Sequence, residues 1–221
     1  MTGSPKKHKT VGIDIRKDLF GANEDAAALN KKKFREHGLV VLDIMGSVGT
    51  GKTQLIEALC DRLRGRRQIL MVAGDLATTI DADRVGSHEI DTVQINTGTA
   101  CHLDARMIRV ALDDVDLSKY DVVFIENVGN LICPAGYSLG ADKKIVVVSV
   151  TEGPYMVRKH PLTIKRADMV VINKIDLADI LEFDVDALVR DIREVDADLP
   201  VFRVSSKTGD GVDNLLKALG F

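Results

Sequence analysis

The stretch Leu39-Val40-Val41-Leu42-Asp43-Ile44-Met45-Gly46-Ser47-Val48-Gly49-Thr50-Gly51-Lys52-Thr53-Gln54 decides the fold. It opens as an apolar run of strand length, and a helical pattern takes over from Lys52 to Leu63. Between the two, Gly46 to Thr53 matches G-x-x-x-x-G-K-[ST], a phosphate-cradling loop in the strand–loop–helix setting that motif requires. Its glycines let backbone N–H groups close on phosphate without a Cβ in the way, and the helix N-terminus adds partial positive charge. Lys52 is expected to reach the β- and γ-phosphates, and the Thr53 hydroxyl to meet Mg2+. Gly46, Val48, Gly49, Thr50, Gly51 and Gln54 complete the expected nucleotide contacts. A partitioning-type ATPase carries a second lysine early in this loop; Ser47 stands there and argues against that subclass.

Outward from the loop, apolar strand candidates recur at 69–73, 92–95, 122–125, 145–150, 169–172 and 201–204. Helical segments at 103–112, 184–195 and 212–219 fall between them, and an amphipathic helix from Asn23 to His37, N-capped by Asn23, precedes the first strand. Continuous apolar strands alternating with helices predict an α/β, three-layer P-loop NTPase fold, its mostly parallel central sheet covered by helices on both faces. We expect one nucleotide-binding domain over residues 23–221 and a partly flexible N-terminal extension over 1–22.

Composition removes several classes. A formal net charge of -3 and the absence of Trp argue against a nucleic-acid surface. No apolar run is long enough to span a bilayer, and the polar, basic start does not read as a secretory signal. Three cysteines make no disulfide framework, so a reducing, cytoplasmic setting is expected.

Two further motifs read the base. Val170-Val171-Ile172-Asn173-Lys174-Ile175-Asp176 is a strand followed by N-K-x-D. A carboxylate at Asp176 can accept from guanine N1–H and N2–H2 together, a donor pair adenine lacks. Asn173 can bond the base edge and the Lys174 stem can cover the ring. Ser205-Ser206-Lys207 follows the last strand and is similar to the S-A-K element of GTPases, whose backbone N–H groups meet guanine O6. The nucleotide is therefore expected to be GTP or GDP.

Glu126, ending the 122–125 strand, and Asp75, after the 69–73 strand, are the expected Mg2+-side acids; a helix cap or surface acid is the alternative for either. Together with Lys52 and Thr53 they form the expected catalytic set. Asn130 stands just after Gly129, where many small GTPases place a longer, water-orienting Gln, so slow intrinsic hydrolysis is expected. Cys101, His102 and Cys133 offer thiolate and imidazole groups suited to Ni2+ or Zn2+, one ligand short of a closed tetrahedron. Water or a second subunit could supply the fourth. The sequence is equally compatible with Cys101 and Cys133 as small core residues and His102 as a helix cap. Cys60 is expected in the core, and His8, His37, His88 and His160 at the surface.

Taken together, the loop at 46–53, Gln94-Ile95-Asn96-Thr97-Gly98 running into Cys101-His102-Leu103-Asp104-Ala105, Glu126-Asn127-Val128-Gly129-Asn130-Leu131-Ile132-Cys133-Pro134, Ser149-Val150-Thr151-Glu152-Gly153 and Asn173-Lys174-Ile175-Asp176 resemble the HypB family. Its members are GTPases that help insert nickel into [NiFe]-hydrogenases. The resemblance runs from about Asn23 onward. It implies a Ni2+ or Zn2+ site of Cys101, His102 and Cys133 near a dimer interface, a homodimer promoted by GTP, and two partners, a HypA-type metallochaperone and the hydrogenase large-subunit precursor. Some members carry an N-terminal C-x-x-C-G-C motif or a His-rich tract. This chain shows only Lys6-Lys7-His8, so a separate nickel store is not expected. Glu152, Lys159 and His160 read as a polar loop, with Lys159 a candidate to reach a neighbour's nucleotide or else a plain solvated charge. Competing readings are a GTPase serving urease or a cobalamin enzyme, a nucleotide kinase or ATPase, and a non-catalytic metal-binding scaffold. The urease reading is weakened because Cys133-Pro134 is followed by Ala135 rather than His.

Overall fold

A computed structural model describes residues 15–75, 90–98 and 100–221; the side chains of residues 15–20 and 75 lie outside that description. The expectations for His8 and His88 also fall outside it. In order, the main elements are α1 (Ile15–Glu36), β1 (Val40–Met45), α2 (Lys52–Leu63), β2 (Ile69–Asp75), β3 (Asp91–Asn96), α3 (Ala105–Ala111), β4 (Val122–Glu126), β5 (Lys143–Ser149), α4 (Met156–Lys159), α5 (Pro161–Lys165), β6 (Met169–Asn173), α6 (Val185–Val195), β7 (Val201–Arg203) and α7 (Val212–Leu219). Short 3-10 turns punctuate the loops. The strands form one seven-stranded sheet in the order β3-β2-β4-β1-β5-β6-β7, and every named pair is parallel.

The unbroken apolar strands are explained by burial on both faces. In β1, Leu42 and Ile44 pack with Leu55, Leu59 and Leu63 of α2 and Leu215 and Leu219 of α7. Val41 faces the other side, with Phe34 of α1 and Ile108 of α3, and Met45 packs there with Val148, Ile172 and Ile192. Cys60 lies in the first of these layers, as expected, and burial pushes its thiol up to about 12. β1 holds the centre of the sheet, flanked by β4 and β5. Crossovers run outward from it on both sides, so the crevice at the strand carboxyl ends opens above β1.

One expected element boundary is corrected. The first helix starts at Ile15 rather than at Asn23. Asn23 is buried within it and does not cap it: its Oδ1 accepts from the Ala105 amide at 2.9 Å, and its Nδ2 donates to Ser138 O at 2.9 Å. The residue instead takes up the first amide of α3, a helix whose N-cap is Asp104. Val150 likewise leaves the strand and opens a 3-10 turn, because Ser149 and Glu152 close a capping box there.

Candidate functional site

The phosphate loop joins β1 to α2, with Gly51 at φ +89 and Gly49 at φ +80, a region in which a side chain would be strained. Gly46 cannot carry a Cβ, which would come within 2.8 Å of Thr50 Oγ1. Lys52 is 7% exposed and its Nζ donates to Ser47 O at 3.2 Å, so the ammonium is held over the loop. Thr53 Oγ1 donates to Glu126 Oε1 at 2.8 Å, both residues being buried. These two hard oxygen donors, one in the first turn of α2 and one at the end of β4, suit a magnesium ion. Asp75 is the last residue of β2, level with Asn96 of β3; its side chain lies outside the described residues.

The base-reading residues converge on the same loop. Asn173, fully buried at the end of β6, donates from Nδ2 to Thr50 O at 2.9 Å and accepts at Oδ1 from the Ser206 amide and hydroxyl at 3.1 and 2.9 Å. Lys174, at φ 62, lays its side chain across the loop so that Nζ reaches Gly49 O. Ser205 Oγ donates to Asp176 Oδ1 at 2.6 Å, orienting the carboxylate, while Lys207 stays exposed. A cavity of about 400 Å3 joins Val48, Lys52, Thr53 and Gln54 to Glu126 and Lys174.

The expected metal ligands are partly assembled. Cys101 Sγ lies 3.6 Å from His102 Nδ1. A hydrogen bond shared with the Cys133 thiol, aided by burial, holds the Cys101 thiol above its ordinary value. Burial lowers the His102 imidazole from its ordinary value, with Asp104 opposing. The His102 ring stacks on Tyr137 with centroids 4.0 Å apart. Among the described residues of one chain, no three His, Cys, Asp or Glu side chains close into a complete metal cage.

Three features were not legible beforehand. Lys159 ends α4, and His160 joins α4 to α5; both line an apolar cavity of about 820 Å3 together with His102 and Cys133. Glu152 is taken up by the capping box, its Oε2 accepting from the Ser149 amide at 2.9 Å, so the expected polar loop is a built turn and a short helix. Asn130 is clasped rather than free: its Oδ1 accepts from the Ile132 amide at 2.9 Å, and its Nδ2 donates to Cys101 O at 3.4 Å. The Ser149-x-x-Glu152 capping box is a local pattern that a closer reading could have found, whereas the Asn130–Cys101 contact and the cavity join segments distant in the chain.

Residues 40–203 match the family described as CobW/HypB/UreG, nucleotide-binding domain. The chain is 46% identical over 210 residues to the "Probable hydrogenase maturation factor HypB" of Methanocaldococcus jannaschii, covering 95% of each chain. It is 40% identical over 199 residues to the "Hydrogenase/urease maturation factor HypB" of Helicobacter pylori, covering 88% of this chain and 81% of that protein. The crystal structure of HypB from Helicobacter pylori in complex with nickel superposes with a TM-score of 0.85 at 39% identity, over 90% of this chain and 93% of that one.

Proposed function

This chain belongs to the CobW/HypB/UreG nucleotide-binding family, and on that premise we propose that it is a GTP-binding, slowly GTP-hydrolysing metallochaperone supporting nickel delivery during hydrogenase maturation. The observation that carries the reading is the 2.9 Å bond from Asn173 to Thr50 O, which welds the base reader to the phosphate cradle. A guanine nucleotide bound across that weld has its base beside Asp176 and its phosphates beside Lys52.

Lys52 neutralises charge that builds on the β- and γ-oxygens, and the loop amides orient the γ-phosphate. Thr53 and Glu126, with Asp75, would hold Mg2+, which supplies charge neutralisation between the phosphates. Asn130 is engaged by Ile132 and Cys101 and presents no long amide to a water, which favours slow hydrolysis. Nickel is the cargo, with zinc an alternative occupant, and Cys101, His102 and Cys133 are its ligands. The apolar cavity between Cys133 and Leu162, with Ile132 68% and Leu162 69% exposed beside it, suits a second copy that completes the ligand set. GTP promotes that homodimer in this reading.

A HypA-type metallochaperone and the hydrogenase large-subunit precursor are the proposed partners, in the cytoplasm; among the described residues no helix is long and apolar enough to cross a membrane. A second reading, delivery to urease as well, is favoured by the 40% identity to the hydrogenase/urease maturation factor of Helicobacter pylori.

Two measurements test the proposal. Calorimetry with GDP and ADP should show guanine preferred by roughly 100-fold or more, because adenine leaves the Asp176 carboxylate without its donor pair. Nickel release from the loaded protein to an apo acceptor should accelerate on GTP turnover and fail in Cys133→Ala. Equal affinity for the two purines defeats the guanine reading; release indifferent to nucleotide defeats the delivery reading.

A further inference from the structure

A nucleotide-gated metal carrier needs a physical link between the phosphate loop and the ligand loops. Chain continuity supplies only part of one, since Cys133 lies downstream of Glu126 while Cys101 and His102 sit on a separate segment. One side chain closes that gap. Asn127 directly follows Glu126 and is 1% exposed. Its Oδ1 accepts from the Leu103 amide at 3.1 Å and the Val128 amide at 3.1 Å. Its Nδ2 donates to Asp43 Oδ1 at 3.2 Å. Leu103 is the residue after the Cys101-His102 pair, Val128 begins the run to Cys133, and Asp43 belongs to the strand that delivers Gly46.

Leu103 has little freedom to move on its own. It is fully buried, and a Cβ built on Gly74 would come within 2.7 Å of its Cγ and Cδ1, so it sits directly on the end of β2 beside Asp75. A second strap runs in parallel: Asn130 pairs with Gly46 in an antiparallel bridge and reaches Cys101 O at 3.4 Å. Breaking the Asn127 bonds one at a time would strand a buried amide at each step, so the clasp and the segments it holds move as a unit.

We propose that Asn127 is the positioning residue that makes the Cys101–His102 pair follow the nucleotide state of the 126–130 segment. The inference rests on the metallochaperone reading above. When the γ-phosphate repositions that segment, Cys133 moves through the chain itself, and Leu103, with the ligand pair before it, moves through the asparagine.

The test titrates the full-length protein with Zn2+ and Ni2+ against a chromophoric chelator, once with GDP and once with a non-hydrolysable GTP analogue. The readout is the ratio of the two metal affinities, in which any uniform loss of binding cancels. In the wild type this ratio should lie between about 5 and 150, the usual range of site-to-site coupling, and in Asn127→Ala it should fall to within about 2 of unity. Asp43→Asn keeps an acceptor for Asn127 and should retain the wild-type ratio; Asp43→Leu removes it and should lose the ratio. That pair decides the matter should Asn127→Ala fail to fold. A ratio of one in the wild type overturns the coupled-delivery reading and this inference together. A wild-type ratio that survives in Asn127→Ala or Asp43→Leu overturns this inference alone.

Discussion

Ser205 and Asp176 show how much a single hydroxyl can govern. The 2.6 Å bond from Ser205 Oγ fixes one carboxylate oxygen, and the proposed reading assigns the remaining lone pairs to guanine. Removing it in Ser205→Ala should weaken GDP binding by about 5- to 10-fold, the worth of one hydrogen bond near 1 kcal/mol, and should cost about 1 kcal/mol of stability as well, since the same oxygen accepts from the Thr208 amide. Asp176→Asn is a sharper test, since an amide NH2 opposes the guanine N2–H2 donor but matches the C2 carbonyl of xanthine. Its calorimetric preference should pass from guanosine to xanthosine diphosphate. Asp43 has the opposite character. Burial raises its carboxyl from 3.8 to about 6, against the lowering pull of Lys144 and of the Asn127 hydrogen bond. The folded state therefore keeps a proton that the unfolded state has released, and stability falls as pH rises between those two values. At pH 7 and above, Asp43→Asn should be more stable than the wild type by up to about 3 kcal/mol in urea denaturation, and the advantage should vanish below pH 4. A constant difference across that range would show that the carboxyl does not titrate as its burial requires.

At the scale of elements, α1 is fastened by buried amides rather than by a broad apolar stripe. Asn30 Nδ2 donates to Ala105 O at 2.8 Å and Leu139 O at 3.1 Å, one helical face with Asn23. The helix approaches so closely that a Cβ on Gly140, at φ +86, would meet Asn30 Cβ and the Lys31 amide at 2.9 Å. Gly140→Ala should cost about 2–4 kcal/mol through left-handed strain and overpacking, and loosen the helix before the sheet in hydrogen exchange. Asn23 also shows where sequence reading stops. An asparagine ahead of an amphipathic run has the composition of a cap, and only the folded chain reveals that it ties α1 to the first amide of α3. The phosphate loop, N-K-x-D and the Ser205–Lys207 run were legible because each acts within a few consecutive residues on a strand end. The sheet was legible because burial on both faces leaves unbroken apolar strands. Asp43, Asn127 and the cavity beside His160 were not, since their roles depend on partners tens of residues away. The thiol contact of Cys101 with Cys133 was open for the same reason.

For the molecule as a whole, the decisive feature is that His102 and Cys133 of the proposed metal site open on one apolar cavity. Cys101 adjoins His102, Ile132 and Leu162 are exposed at that cavity, and among the described residues no complete cage forms. If a second copy finishes the site, metal and dimer are linked, and each must strengthen the other by the same factor. Light scattering should then show the dimer dissociation constant falling by roughly 5- to 150-fold when Zn2+ or Ni2+ is added, with metal affinity rising by that factor once protein concentration passes the dimer constant. Cys133→Ser should flatten both curves while leaving GDP affinity unchanged, because the nucleotide cavity does not include Cys133. Leu162→Glu should weaken the dimer by placing a charge on the apolar rim, and should weaken metal binding with it although it removes no ligand. Metal affinity independent of protein concentration would mean that one chain closes the site alone. The cavity beside Cys133 would then have to be explained by a partner other than a second copy.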